Sequence, residues 1–445
     1  MDARTQGSTR RLPRKLGPWT GAAVVVGVII GSGIYKVPAP IAAGTGSLTG
    51  VALVWILGGL ISLFGALSIA ELAAMFPDAG GPYVYLREAF GKPMAFMFGW
   101  MWLITMPNSW AAQAVTFADY FGSTVAFTPF EKQLLAALLI TLLSAVSYCS
   151  VSLGAWVQNL ATGAKLLALA GLAVALFSFA PHPAANLAGI ASGHVIWSGL
   201  GVALVASLWA YDGWVNITPL SGEMKNPQTS LPRALIGGTL VTLAVYLIMN
   251  AAFAGALPFA TLASSKAVAS DAVTAVLGSG AAAVIVALVM VSTFSSVNGS
   301  ILSDPRVFYA MAEDGLFFKS VGKIHPRFQT PHVAILFSWA LTMIFVFCRD
   351  FLDLAEAYVL GIWPFLALCT IGLVVLRRRS PGLNRPYRVL GYPLVPALFV
   401  LGTLLVIGDT YYDHFHTQLL ATAINLGLIL AGLPIYWIWV RVTKR

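Results

Sequence analysis

Val24-Val25-Val26-Gly27-Val28-Ile29-Ile30-Gly31-Ser32-Gly33-Ile34-Tyr35-Lys36-Val37-Pro38 begins as a segment suited to hydrocarbon and then breaks in its own middle. Two glycines around a serine permit the backbone to unwind, and Pro38 and Pro40 fall where the helix should continue. A second stretch behaves alike. Leu208-Trp209-Ala210-Tyr211-Asp212-Gly213-Trp214 puts an acid and a glycine inside an apolar run, with Pro219 downstream. Unwound backbone facing lipid leaves polar groups unsatisfied, at several kcal/mol each, so such breaks are tolerated where they line a cavity. One Gly-Ser-Gly alone reads more simply as close helix packing. Two breaks at corresponding places favour a binding site.

Outward from these segments, the composition fits a membrane protein. Hydrophobic residues make up 58% of 445 and charged residues 10%, against roughly 25% charged in soluble domains. Mean hydropathy is +0.82. Apolar runs long enough to cross a bilayer occur at about 18–44, 48–75, 93–121, 132–150, 155–180, 195–222, 232–257, 279–311, 332–349, 352–376, 390–409 and 417–440. The expectation is an all-α membrane protein of twelve transmembrane helices. A cytoplasmic arm (1–17) leads into a core of ten spans (18–376). A basic cytoplasmic loop (377–389), two extra C-terminal helices (390–440) and a short cytoplasmic tail (441–445) follow. The broken runs are the first and the sixth, which makes each the opening member of a five-span set.

With the N-terminus inside, the inner segments hold twenty Lys and Arg and the outer ones three, Lys132, Lys266 and Arg349. That bias places both termini in the cytoplasm and accounts for the net charge of +9. The basic residues are scattered over separate loops, which argues against nucleic-acid binding. Cys149, Cys348 and Cys369 have no metal or redox spacing, and none of the six histidines forms a metal-ligand pair within a span. No cofactor, metal or catalytic constellation is expected.

The breaks suggest their own ligand. After the first, free amides at Ser32 and Gly33 can hold a carboxylate at a helix N-terminus. Carbonyls of Ile29, Trp209 and Asp212 can accept from an ammonium. An α-amino acid carries both groups a short distance apart. Asp212 has three readings: a cap on the broken helix, a partner for a substrate ammonium, or a proton site. The first is preferred, because Asp bonds nearby backbone amides in non-helical turns. Asn108 and Asn298 either line the side-chain pocket or bond between helices.

The chain resembles the amino acid–polyamine–organocation superfamily, and within it the L-type amino acid transporter family. The motifs are Ile30-Gly31-Ser32-Gly33-Ile34-Tyr35, Gly163-Ala164-Lys165-Leu166-Leu167-Ala168-Leu169, Ala210-Tyr211-Asp212-Gly213-Trp214, Gly222-Glu223-Met224-Lys225-Asn226-Pro227 and Ser296-Val297-Asn298-Gly299-Ser300, followed by Arg306. They span roughly residues 18 to 380. The resemblance implies a five-plus-five inverted repeat, discontinuous helices one and six, alternating access, and transport of amino acids, often by exchange, in the plasma (inner) membrane. Gly31, Ser32 and Gly33 match the carboxylate-binding turn, and Trp209 the aromatic that closes over the substrate. Lys165 matches a lysine that replaces the sodium ion of sodium-coupled relatives. Its ammonium is expected on the Gly27 carbonyl and on the Ser296 or Ser300 hydroxyl, which makes transport sodium-independent, by exchange or proton coupling. Neutral L-amino acids are the expected cargo, with polyamines or organic cations as the alternative.

Some residues depart from the family. Asp212 stands where many relatives have Gly, and Tyr35 where Phe is commoner. Residues 122–130 carry no cysteine, so no disulfide-linked heavy chain is expected, and the chain could act as a monomer. Lys36 is unusual at its place. It either pairs with Asp353 or Glu356 as an outer gate or is solvated in the vestibule.

Overall fold

A computed structural model describes residues 12–123, 125–188, 194–348, 351–417 and 419–443. The described residues are predominantly helical and contain no strand. A single bridge joins Leu16 to Met224. Among the described residues, ten helices are long and apolar enough to cross a membrane. Two of the twelve expected spans fall outside that set. Lys92–Gly122 has 31 residues, but Pro107, Asn108, Ser109 and Gln113 dilute its apolar character. His332–Cys348 has 17 residues, short of the roughly 20 that a crossing needs.

The apolar side chains confirm the solvent. Leu138, Leu142, Leu160, Leu167, Val174, Leu405, Leu430 and Trp437 lie exposed on long helices. A soluble monomer rarely exposes apolar patches beyond a few hundred Å². The helices also differ in enclosure. The most apolar window of Pro18–Lys36 is 78% buried, that of Thr422–Thr443 only 11%. The broken first helix is therefore central and the last helix peripheral.

Polar residues fix the ends of the elements. Ser47 caps Leu48–Met75 through the Gly50 amide at 3.1 Å. Thr128 and Glu131 form a capping box at the start of Pro129–Cys149. Glu71, fully buried, accepts from Arg377 Nε at 2.8 Å and from the Val389 amide at 2.7 Å, so it anchors both ends of the basic 377–389 segment. The arm is tied down as well. Leu16 N donates to the Glu223 carbonyl at 2.9 Å, and Lys225 N to the Leu16 carbonyl at 2.8 Å.

Candidate functional site

Both expected breaks are present. The first helix runs over Pro18–Ile29, stops at Ile30 (ψ 76°) and resumes at Gly33–Lys36, continuing into Pro38–Thr45. The second runs over Leu200–Tyr211 and stops at Asp212, which is extended. It restarts after Gly213 as a 3-10 helix over Trp214–Glu223. Gly213 has φ +111°, a region that disfavours any side chain.

The breaks touch each other. A Cβ on Gly213 would lie 2.6 Å from Val28 Cγ1 and 3.1 Å from Ile29 N, and one on Gly33 would lie 2.9 Å from Ala210 Cα. Glycine is needed at both places because two backbones meet there. Tyr246, on Pro227–Ala256, completes the junction. Its hydroxyl lies 2.8 Å from the Ile29 carbonyl and 2.9 Å from the Ala210 carbonyl, so one proton is shared by the ends of two half-helices.

A small cavity of about 20 Å³, room for roughly one water, opens at this junction. Ile29, Gly33, Trp209 and Asp212 line it, as does Ser296. Ser109 and Gln113 of Lys92–Gly122 complete the wall, and neither was anticipated from the sequence. Gln113 stands where a carboxylate was expected. Its Oε1 accepts from Ser32 N at 3.3 Å, and its amide packs over Gly31, where a Cβ would lie 2.7 Å from Nε2. A side-chain carbonyl and a tyrosine hydroxyl thus occupy two of the main-chain groups assigned to substrate.

Lys165 is fully buried. Its Nζ donates to the carbonyls of Gly27 at 2.8 Å, Ile30 at 2.6 Å and Ser292 at 3.1 Å. An ammonium has three N–H donors, and all three are used. The expected hydroxyl contacts are not made. Ser296 Oγ donates to the Val28 carbonyl at 2.9 Å instead. Ser300, one turn further and buried, is 3% exposed, and its carbonyl accepts from Asp304 N. The neighbour of Lys165 is the Ser292 carbonyl because the lysine approaches one turn above Ser296. A Cβ on Gly27 would run into the ends of the Gln158 and Thr162 side chains, which would have to move.

Asn298 faces away from the cavity and bonds Gly154 O at 3.0 Å and Gln158 Oε1 at 2.8 Å. That is the interhelical alternative. Asn108 is buried beside the cavity wall but does not line it. Lys36 Nζ donates to Thr116 Oγ1 at 3.1 Å, which ties the resumed first helix to Lys92–Gly122. The side chains of Asp353 and Glu356 lie outside the described residues.

An all-helical membrane protein with two interrupted helices meeting at a buried polar junction has the build of a transporter rather than an enzyme. A family model described as amino acid permease matches residues 16–434. The chain belongs to that family. It is 32% identical over 433 residues to the serine/threonine exchanger SteT of Bacillus subtilis (strain 168), covering 96% of this chain and 97% of that protein. It is 31% identical to the b(0,+)-type amino acid transporter 1 of Mus musculus, over 98% of this chain and 90% of that one. The cystine/glutamate transporter of Homo sapiens is 30% identical, over 98% and 87%.

Proposed function

We propose that this chain is a secondary active amino acid transporter working by alternating access, sodium-independent, and either an exchanger or proton-coupled. The architecture we assign it has twelve spans, with ten in a five-plus-five inverted repeat and two more at the C-terminus. Both ends lie in the cytoplasm and the membrane is the plasma (inner) membrane. The cargo is a neutral L-amino acid. The relatives named for amino acid exchange or transport support that cargo. The observation that carries the reading is the meeting of the two breaks at Gly33–Ala210 and Gly213–Val28.

The chemistry follows from the groups there. The substrate carboxylate takes the Ser32 amide from Gln113, and its ammonium shares the Ile29 carbonyl with Tyr246. Lys165 supplies a fixed positive charge bound to three carbonyls, in a place where a mobile cation would otherwise neutralise them. The cavity is too small for an amino acid as it stands, so binding must part the helices around it. In proteoliposomes loaded with L-serine, external labelled L-serine should enter equally well with sodium or choline outside. Uptake that requires sodium would refute the role given to Lys165.

Asp212 on the cavity wall favours one second reading, a polyamine or other organic cation as cargo. A thermal-shift series separates the two, because a ligand that binds the folded state raises its apparent stability. L-serine and L-threonine should stabilise the protein and putrescine should not; the reverse pattern selects the cation carrier.

A further inference from the structure

The basic 377–389 segment carries more charge than its own fold uses. Five arginines, Arg377, Arg378, Arg379, Arg385 and Arg388, fall close together, and no acidic residue occurs between Glu356 and Asp409. Two of the five build the segment. Arg377 donates to Glu71 through Nε at 2.8 Å and through Nη2, and its guanidinium lies 3.9 Å from the centre of the Tyr392 ring. Arg385 Nη1 donates to the carbonyls of Pro381 and Leu383 at 2.9 Å, and Nη2 to those of Ser380 at 2.9 Å and Leu376 at 3.2 Å. Arg385 therefore serves the end of Phe351–Arg379, and the loop closes without Arg378, Arg379 or Arg388.

Those three are exposed, and no described ion pair includes them. They are also gathered. Buried Glu71 holds Arg377 at one end and the Val389 amide at the other. Arg378 follows Arg377 and Arg388 precedes Val389, so the three exposed guanidiniums stem from backbone drawn to one carboxylate. Like charges brought together repel, and an anion between them relieves that repulsion. The inside bias of Lys and Arg accounts for the side on which they lie, but not for a buried glutamate that collects them. Beside them Leu390 and Leu394 are 67% and 63% exposed. Arginines next to exposed leucines at the end of a span match the boundary where phosphates meet acyl chains. A free phosphate would use the arginines alone; a phospholipid uses both. Glu71 lies near the end of Leu48–Met75, and Pro77, Asp78 and Ala79 beyond it wall a cavity with Leu12 and Arg14 of the arm. Segment and arm thus share one side.

We propose that Arg378, Arg379 and Arg388 form a binding site for the headgroup of an anionic phospholipid in the leaflet on the arm's side. The phosphate takes paired N–H donors from the guanidiniums, and the acyl chains lie against Leu390 and Leu394. A lipid held there touches the ends of Phe351–Arg379 and Leu394–Thr417, which the segment joins, and steadies them against Leu48–Met75. The protein is therefore more stable in an anionic bilayer than in a neutral one.

The test uses the purified full chain in neutral detergent. Phosphatidylglycerol and phosphatidylcholine carrying the same fluorescent label are titrated and read by anisotropy. Phosphatidylglycerol should bind at least about fivefold more tightly, the attraction of one arginine near a charged membrane surface, and added salt should erase that preference. The triple variant Arg378→Gln, Arg379→Gln, Arg388→Gln should bind both lipids alike, while melting as the wild type does with phosphatidylcholine, because all three side chains are exposed. Equal binding of the two lipids by the wild type, or a triple variant that keeps the preference, overturns the proposal. Glycerol 3-phosphate separates the two sources of phosphate: it should not displace the labelled lipid, and displacement at equal concentration would overturn the assignment to lipid. The wild-type melting temperature gives a reading that needs no variant. Phosphatidylglycerol should raise it and phosphatidylcholine should not; a rise with neither, or the same rise with both, also overturns the proposal. None of these measurements involves transport, so their failure leaves the amino acid reading standing.

Discussion

The first break has two flanks, and they are held differently. On one, Lys165 spends all three donors on Gly27, Ile30 and Ser292 at 2.6–3.1 Å. On the other, the Ser32 amide is held by a single Gln113 bond of 3.3 Å, long for N–H···O. With three carbonyl partners, the fully buried Lys165 Nζ is built into the helix break. A lone, long bond from a side-chain amide is one that a carboxylate can replace, because charge-assisted bonds are roughly twice as strong. The same unwound turn thus has a fully bonded lysine on one side and a single long contact on the other. That difference is what the proposed transport needs: a constant element for architecture and a replaceable contact for cargo.

The contrast can be broken at several points. Gly213→Ala removes its foundation, since the new Cβ would sit 2.6 Å from Val28 Cγ1 at φ +111°. Exchange should fall below detection and stability by about 3 kcal/mol or more, read by initial rates and the melting temperature in detergent. Lys165→Met attacks the permanent flank. It leaves three buried carbonyls without their donor, each at about 1–3 kcal/mol, and exchange should drop by about two orders of magnitude. Lys165→Arg should not rescue it, because a planar fork does not fit three carbonyls arranged around a point charge. Gln113→Ala tests the exchangeable flank in the opposite direction. Freeing Ser32 N should tighten the apparent affinity for L-serine by about fivefold, the equivalent of one hydrogen bond of about 1 kcal/mol. A weakened affinity would mean that Gln113 itself binds the substrate. Asp212→Asn should change neutral amino acid transport by less than about threefold, since an amide oxygen still serves as a cap. A large loss with normal expression would give the acid a direct part in transport.

The residues that were legible in the sequence are those whose signal is local. Glycine and proline mark the breaks because they act on their own backbone, so the interruptions at Gly31–Gly33 and Asp212–Gly213 could be placed within a residue or two. Lys165 was visible because a lysine ten residues into an apolar run has no bland explanation. Gln113, Ser109 and Tyr246 had no such mark. A polar residue within a long helix gains a role through the rotation of that helix against its neighbours, which spacing along one chain does not specify. The expectation for Ser296 failed for the same reason: the lysine meets its helix one turn away, at the Ser292 carbonyl. Asp304, next to Pro305, reads from sequence as an ordinary helix end. Only the arrival of Trp110 and Asn216 from two other elements gives it a buried setting. The hydropathy signal is weak where polar site residues interrupt an apolar run, as in Lys92–Gly122, because the residues that build the wall of the cavity also dilute the run.

Hydrogen–deuterium exchange with and without L-serine tests the central claim most directly. Peptides covering Ile30–Ile34 and Ala210–Trp214 should both exchange more slowly with the amino acid bound, because its two charged ends engage main-chain groups in those turns. If ligand slows exchange elsewhere and leaves both of these segments unchanged, the amino acid does not bind where the two helices break.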